Sequence, residues 1–295
     1  MNRRGRPAPG GGITVAGVRV THPGRPLFGP GGPSKGALAR YLARVAPLML
    51  PHVARRPLGL VRCPEGIDGG CFFQRHASAG MSPAIGRVTI RQAGGEEAEY
   101  LYVETLAGLI ALVQVGVIEM HPWQTRIDDL DHADQIVFDL DPGPGTPFSA
   151  VRRAAREVRR RAEAQGFRPR LKTTGGKGLH VVLPLATAMG WDEARDFSRE
   201  MARAMAADMP GRYVAQSRKA LREGRVFIDW LRNVRGASAV APYSPRARPG
   251  APVACPIRWD ALSRVRSGGQ FRLGGMARRL AHLRADPWRA QDGAA

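Results

Sequence analysis

The sequence predicts a mixed α/β (α+β) fold with a core of the split-βαβ kind, and three observations carry that expectation. Residues 135–141 alternate apolar and polar side chains with the period of two of a strand. Residues 148–162 place Phe148, Val151, Ala155, Val158 and Ala162 on one helical stripe, with Arg152, Arg153, Arg156, Arg159 and Arg160 outside it. A strand over 179–183, a helix over 192–207 carrying Ala194, Phe197, Met201 and Met205, and a strand over 225–231 complete the order strand, helix, strand, helix, strand.

Taken in order, residues 1–12 hold three arginines, two prolines and four glycines without periodicity, the composition of a disordered basic tail. The remainder, 13–295, is expected to form one domain: an N-terminal part to about 125, a catalytic core over about 126–245, and a C-terminal strap and helix from about 246. Residues 13–20 suit a strand. Ser34 is placed to cap a helix whose Leu38, Leu42, Val45 and Met49 recur at helical spacing, and Pro47 is expected to kink it or end it early. Residues 58–61 form a short apolar run, and 63–70 have loop chemistry. A helix over 104–113 and a buried strand over 115–120 follow, the strand ending at His121-Pro122-Trp123. Gly166 suits the end of the arginine-rich helix. Four prolines in 244–256 predict an extended strap over the surface, and 275–283 a last helix before Asp286-Pro287-Trp288.

The chain has 45 Lys and Arg against 25 Asp and Glu, a formal charge of +20, and a sequence pI near 11.3. Such an excess calls for a polyanionic partner, and nucleic acid is the usual one. Only four of the cations are lysines, so arginine-biased usage contributes, but bias does not explain the shortage of acids. No apolar run reaches the roughly 18 residues of a membrane span. Cys63, Cys71 and Cys255 fit neither a disulfide framework nor a common zinc spacing, even with His76, and no apolar leader precedes them. Free thiols in a reducing cytoplasm are therefore expected.

In the strand over 135–141, Ile136, Phe138 and Leu140 share one face, and Asp139 and Asp141 the other. Paired carboxylates before a Pro-Gly turn are either a solvated strand end or a metal site, because like charges side by side are costly without a cation between them. Asp229 stands in an otherwise apolar strand, where an ionised group needs a partner: a salt bridge to Arg222 or Arg232, or a metal. If the two strands are neighbours, three carboxylates converge, the number that commonly anchors two divalent ions for phosphoryl transfer.

Residues 173–180, Thr-Thr-Gly-Gly-Lys-Gly-Leu-His, join hydroxyls, glycines, a cation and a histidine at the mouth of a strand. The glycines would let backbone N–H groups approach an anion, with Thr174 adding a donor and Lys177 a charge. Leu171 and Gly178 stand where a Walker A loop needs Gly and Ser or Thr.

Together these segments resemble the polymerase domain of bacterial end-joining DNA ligases (ligase D), in the archaeo-eukaryotic primase superfamily. The resemblance extends over residues 62–68 with Phe72-Phe73, His121-Pro122-Trp123, 138–145, 175–180, 227–233, 235–244 and Asp286-Pro287-Trp288. It implies a primase-like fold, an RRM-like split-βαβ core packed against an N-terminal α/β module. It also implies addition of nucleotides, preferentially ribonucleotides, from NTP or dNTP to primer 3′ ends at DNA gaps and breaks. Asp139, Asp141 and Asp229 would hold two divalent ions, Mn²⁺ or Mg²⁺. Thr174, Lys177, His180, His121, Arg232 and Arg246 would contact the nucleotide. Arg25 and Lys35 would hold a 5′-phosphate, Phe72 and Phe73 would stack on the template, and Arg62 and Arg222 would contact DNA.

The implied partners are DNA ends, gapped duplexes with a 5′-phosphate, Ku and a separate ATP-dependent ligase, in the bacterial cytoplasm at the nucleoid. Thr174 stands where the family more often has Ser, and Arg25 where Lys is frequent. None of the lysines begins the Lys-x-Asp-Gly of a ligase adenylation site, so no fused ligase is expected. A catalytically silent end-bridging module is the alternative from another class. Three uncompensated acids on a DNA-binding surface argue against it, since they would repel phosphate. A primase that starts chains without a primer is the third reading.

Overall fold

The computed structural model describes residues 11–288 except 93 and 284, so the expected basic tail lies almost entirely outside the described residues. Two short strands, β1 (Ile13–Val15) and β2 (Val18–Val20), precede α1 (Lys35–Val53). Strands β3 (Leu58–Arg62), β4 (Phe72–Gln74), β5 (Gly86–Arg91) and β6 (Glu97–Tyr102) follow, then α2 (Leu106–Gln114) and β7 (Val117–Pro122). The core runs β8 (His132–Pro142), α3 (Phe148–Glu163), β9 (Arg170–Thr173), β10 (Leu179–Gly190), α4 (Trp191–Asp208), β11 (Tyr213–Val214) and β12 (Val226–Asp229). Strand β13 (Pro256–Ile257) and α5 (Leu273–Ala281) close the chain.

The Ser34 hydroxyl caps α1 by accepting from the Ala37 N–H, as its position in the sequence predicts. Pro47 does not end the helix, which continues through it and Pro51 to Val53. Pro47 is exposed, whereas Leu38, Leu42, Val45, Met49 and Val53 are buried on the other face. Burying that stripe outweighs the roughly 3 kcal/mol that an interior proline costs.

The central sheet has the order β11-β12-β8-β10-β9-β13, antiparallel except for the β11–β12 pair. Its middle four strands have the split-βαβ arrangement: the first strand of the unit, β8, lies between the last two, β12 and β10. Both helices pack on one face, where Phe138, Leu140, Leu179 and Val181 meet Val151, Val158 of α3 and Met201, Met205 of α4. On the opposite face Val137 and Val182 pack with Ala239 and Trp288, so β8 is covered on both sides. Asp139, Asp141 and His180 share that second face by alternation.

The N-terminal part is built on β3, which pairs with β4, β6 and β7. Residues 244–256 depart from the expected surface strap. Tyr243 N–H donates to Ala254 C=O and Ala254 N–H to Ser244 C=O, closing a hairpin whose Ala251, Val253 and Cys255 are fully buried in the N-terminal core. The prolines and short side chains let backbone pack where larger residues would not fit.

Cys63 and Cys71 form a disulfide, against the expectation of free thiols; Cys255 is free and buried. The antiparallel register pairs Arg62 with Phe72, so the next pair outward is Cys63 with Cys71. The cysteine argument for a reducing compartment therefore falls away.

Strand β12 stops at Asp229, opposite Asp139, while β8 continues. The Asn233 side chain takes over its ladder: Oδ1 accepts from Val137 N–H at 2.7 Å, and Nδ2 donates to Val137 C=O at 2.9 Å. Asn233→Ala orphans both buried groups and is expected to cost about 2–5 kcal/mol in chemical unfolding with an unchanged denaturant slope. A loss below about 1 kcal/mol would contradict this role.

Candidate active site

The register of β12 on β8 sets Asp229 directly opposite Asp139, and Phe227 opposite Asp141. Asp139 and Asp229 are 8% and 7% exposed, so their charges are poorly solvated and need compensation from protein or ligand. Arg232, one turn beyond Asp229, supplies part of it. Its Nη2 lies 2.9 Å from Asp229 Oδ2 and 3.3 Å from Asp139 Oδ2, so of the two arginines weighed as salt-bridge partners of Asp229 it is Arg232 that pairs with it.

Compensation is incomplete. Asp139 Oδ1 is buried, lies 3.3 Å from His180 Nε2 and has no aligned hydrogen bond. Burial alone would raise the Asp139 carboxyl, but His180, Arg232 and Lys172 together bring it down to about 2. Asp141 goes the other way. Burial, followed by repulsion from Asp139 and Asp229, lifts it to about 6. Burial raises Asp229 as well. An orphaned carboxylate oxygen beside two acids of raised proton affinity is a donor set that fits a hard divalent cation. Among the described residues no three ligand-type side chains are gathered at coordinating distance. The Arg232 guanidinium lies between Asp139 and Asp229.

A cavity of about 420 Å³ opens beside these acids. It is lined by the sequence-predicted His121, Asp139, Asp141, Thr174, Lys177, His180, Arg222, Arg232 and Arg246. Arg222, expected to contact DNA, lines the cavity, with its guanidinium 3.8 Å from the centre of the Phe227 ring. Arg248 also lines the cavity and was missed. Its signal was Arg246-Ala247-Arg248, two cations a strand period apart in a segment read only as a strap.

The glycine loop differs in detail from the anion cradle expected of it. Gly175 N–H donates to Gly268 C=O, and the N–H groups of Gly176 and Gly178 donate to Thr174 Oγ1. The Thr174 hydroxyl itself donates to Gly178 C=O. These backbone donors are already spent, within the loop or on Gly268, so the loop meets the cavity chiefly through side chains. Glycine is required by proximity: a Cβ on Gly178 would lie 2.2 Å from Leu140 O, and one on Gly175, at φ +67°, 2.6 Å from Arg246 Cγ. The loop thus packs tightly on the acid-bearing strand.

Burial, reinforced by Lys172, lowers His180 to about 4, so it is neutral at physiological pH. Lys172 is itself 2% exposed, and its Nζ has no hydrogen-bond partner among the described residues. Burial, opposed by Asp139, brings it down to about 7. Sequence reading also missed Glu119, which is 5% exposed and bonded to His121 and Arg246.

A second cluster lies on the N-terminal part. Arg25 donates to Pro64 C=O and to Glu65 Oε1, both at 2.8 Å, and its C=O accepts from the Lys35 N–H, so Arg25 and Lys35 are neighbours. Lys35 is buried and donates from Nζ to Gln114 O at 2.8 Å; burial and then Arg25 lower its proton affinity. Phe72 and Phe73 are 49% and 47% exposed, against the ordinary expectation for a Phe pair. The Arg62 guanidinium lies 5.3 Å from the Phe72 ring, and its Nε donates to Val115 C=O. Phe73 meets His121 edge-on at 5.9 Å, which joins this aromatic surface to the cavity.

The family model described as LigD, primase-polymerase domain, matches residues 34–288. The chain is similar to the multifunctional non-homologous end joining protein LigD of Pseudomonas aeruginosa, 39% identical over 93% of this chain and 33% of that protein. The protein of the same name from Mycolicibacterium smegmatis is 34% identical over 83% of this chain and 32% of its own length. The chain therefore spans about a third of the length of these relatives. Among solved structures, it matches the polymerase domain from Mycobacterium tuberculosis Ligase D in complex with DNA. That match has a TM-score of 0.86 and 28% identity over 94% of this chain and 99% of the other. The primase-like mixed α/β fold thus agrees with the sequence match: this chain belongs to the LigD primase-polymerase domain family.

Proposed function

We propose that this chain is a metal-dependent nucleotidyltransferase that extends primer 3′ ends at DNA gaps and breaks in non-homologous end joining. The observation that carries the reading is the pairing of Asp229 with Asp139 beside Asp141, at the edge of a cavity otherwise lined by Lys177, Arg222, Arg246 and Arg248. Acids that need a cation, facing cations that need an anion, suit a metal-bound nucleoside triphosphate.

In this reading Asp139, Asp141 and Asp229 hold two divalent ions, Mn²⁺ or Mg²⁺. When bound, such ions lower the pKa of the primer 3′-hydroxyl and take up charge on the leaving pyrophosphate. Arg232 neutralises the acids beforehand and keeps the strand pair from repelling itself. Lys177, Arg246, His121 and neutral His180 bind and orient the triphosphate, while Thr174 shapes the loop that carries Lys177. Phe72 and Phe73 offer a stacking platform for the template next to His121. Arg25 and Lys35 hold the downstream 5′-phosphate, Arg62 supports Phe72, and Arg222 guards the cavity edge. Preference for ribonucleotides, action beside Ku and an ATP-dependent ligase activity, and a place at the bacterial nucleoid complete the proposal. No helix among the described residues is long and apolar enough to cross a membrane.

Primer extension on a gapped duplex with NTPs or dNTPs tests the chemistry. Asp139→Ala and Asp229→Ala are each expected to lower the rate by at least about 1000-fold, with duplex affinity within about threefold of the parent. Retained metal-dependent extension would sink the site assignment. Competition between NTP and dNTP is expected to favour NTP.

A 5′-phosphate at the gap is expected to tighten binding about tenfold, and affinity to fall log-linearly with salt. Arg25→Ala or Lys35→Ala should erase the phosphate dependence; indifference of the parent to that phosphate would contradict their role.

The acids also predict a pH signature. Because Asp141 is lifted from 3.8 to about 6, the folded chain holds its proton longer than the unfolded one, and the group's contribution to stability is lost as pH rises through that window. His180, lowered from 6.5 to about 4, acts in the opposite sense over nearly the same range, so a difference measurement is needed. Without divalent metal, Asp141→Asn is expected to gain stability relative to the parent as pH rises from about 4 to about 6. Added Mn²⁺ should stabilise the parent and not the variant. Parallel pH profiles would show that Asp141 is not under strain.

A further inference from the structure

Glu119 stands behind two side chains that line the cavity, His121 and Arg246, and both of its oxygens are occupied. Oε2 accepts from His121 Nε2 and from Arg246 Nε, each at 2.8 Å, and Oε1 accepts from the Ala247 N–H at 2.7 Å. Glu119 and His121 sit two residues apart on β7, hence on one strand face, and Arg246 belongs to the hairpin folded back against them.

We propose that Glu119 is a positioning residue that sets the His121 ring and the Arg246 guanidinium for the incoming triphosphate, an inference that rests on the nucleotide reading of the cavity. The bond to Glu119 takes up His121 Nε2–H; Nδ1 is then an acceptor in the neutral ring and donates to a phosphate oxygen when the ring is protonated, and the Phe73 edge restrains the ring from the side. Arg246 is held at two points, Nε on Glu119 and Nη1 on Thr174 C=O at 2.8 Å, which leaves the Nη2 side of its planar fork for the cavity. One buried carboxylate therefore links β7, the hairpin and the glycine loop, the segments that carry His121, Arg246 and Lys177. Burial works against its charge, but His121, Arg246 and the Ala247 N–H hold its carboxyl down to about 2, so it stays ionised.

Glu119→Gln tests the role at nearly constant shape. Its amide oxygen can still accept from Ala247, but its NH₂ group then faces the His121 and Arg246 donors, which have no acceptor left. Calorimetric binding of a non-hydrolysable nucleoside triphosphate analogue is expected to weaken about tenfold, with KM for nucleotide rising by a similar factor while kcat changes little. Affinity for the gapped duplex and the thermal midpoint should stay close to the parent's. In an Arg246→Ala, His121→Ala background the Glu119→Gln effect is expected to shrink below about twofold, because its intermediaries are gone. If the Gln variant melts early, Glu119→Asp, which keeps the charge but loses the reach to both partners, carries the same expectation.

Analogue affinity equal to the parent's, an undiminished effect in the double-variant background, or a parallel fall of duplex affinity would overturn the positioning role and leave the proposed function standing. A parent chain that binds no triphosphate analogue would overturn both.

Discussion

The structure turns on a repulsion that the backbone enforces. Antiparallel pairing of β12 with β8 sets Asp229 opposite Asp139, and the strand period puts Asp141 on the same face, in a sheet buried on both sides. Burial makes each charge expensive, and proximity makes them expensive to one another. Arg232 bridges two of the acids, but one Asp139 oxygen stays orphaned and Asp141 retains a proton up to about pH 6. The neighbouring structure maintains this tension. Asn233 replaces the missing ladder of β12, and Gly178 lets the loop close against β8 within a distance that any side chain would forbid.

Around the acids, the two parts of the chain divide the work. The central sheet provides the carboxylates, His180 and Lys177, whereas the N-terminal sheet provides His121, Phe72 and Phe73. The hairpin over 244–256 joins them, buried in the N-terminal core while Arg246 and Arg248 face the cavity. Glu119 ties that hairpin to β7, and the edge contact of Phe73 with His121 puts the exposed Phe pair and the cavity side by side. Cations thus arrive from both directions at a site where the strand pairing concentrates negative charge.

Much of this was legible in the sequence, for a physical reason. Strand β8 and helix α3 carry strong periodicity because each packs an apolar face on the same core, and the acids stand out against that background. Asp229 was legible because an acid inside an apolar strand demands a partner. Strands β4, β5 and β6 were not read: β4 is only three residues and largely exposed, and β5 alternates but buries only Ile90. The disulfide depended on strand register rather than cysteine spacing, and Pro47 was over-read because only the tertiary packing of α1 shows that it faces solvent. The glycine loop was recognisable as a loop, but the direction of its N–H groups depends on Thr174 and Gly268. Glu119 gave no separate signal, since an acid before a histidine acquires meaning only when Arg246 arrives from 127 residues away.

If the paired acids hold cations, Arg232 is a partial substitute for them in the free chain. Counting bound Mn²⁺ by electron paramagnetic resonance, with a non-hydrolysable nucleoside triphosphate present, tests it most directly. About two Mn²⁺ per chain are expected with the parent, as in two-metal sites, and loss of both when Asp139 is replaced by Asn. Absence of tight Mn²⁺ from the parent, or an unchanged count in the variant, would contradict it.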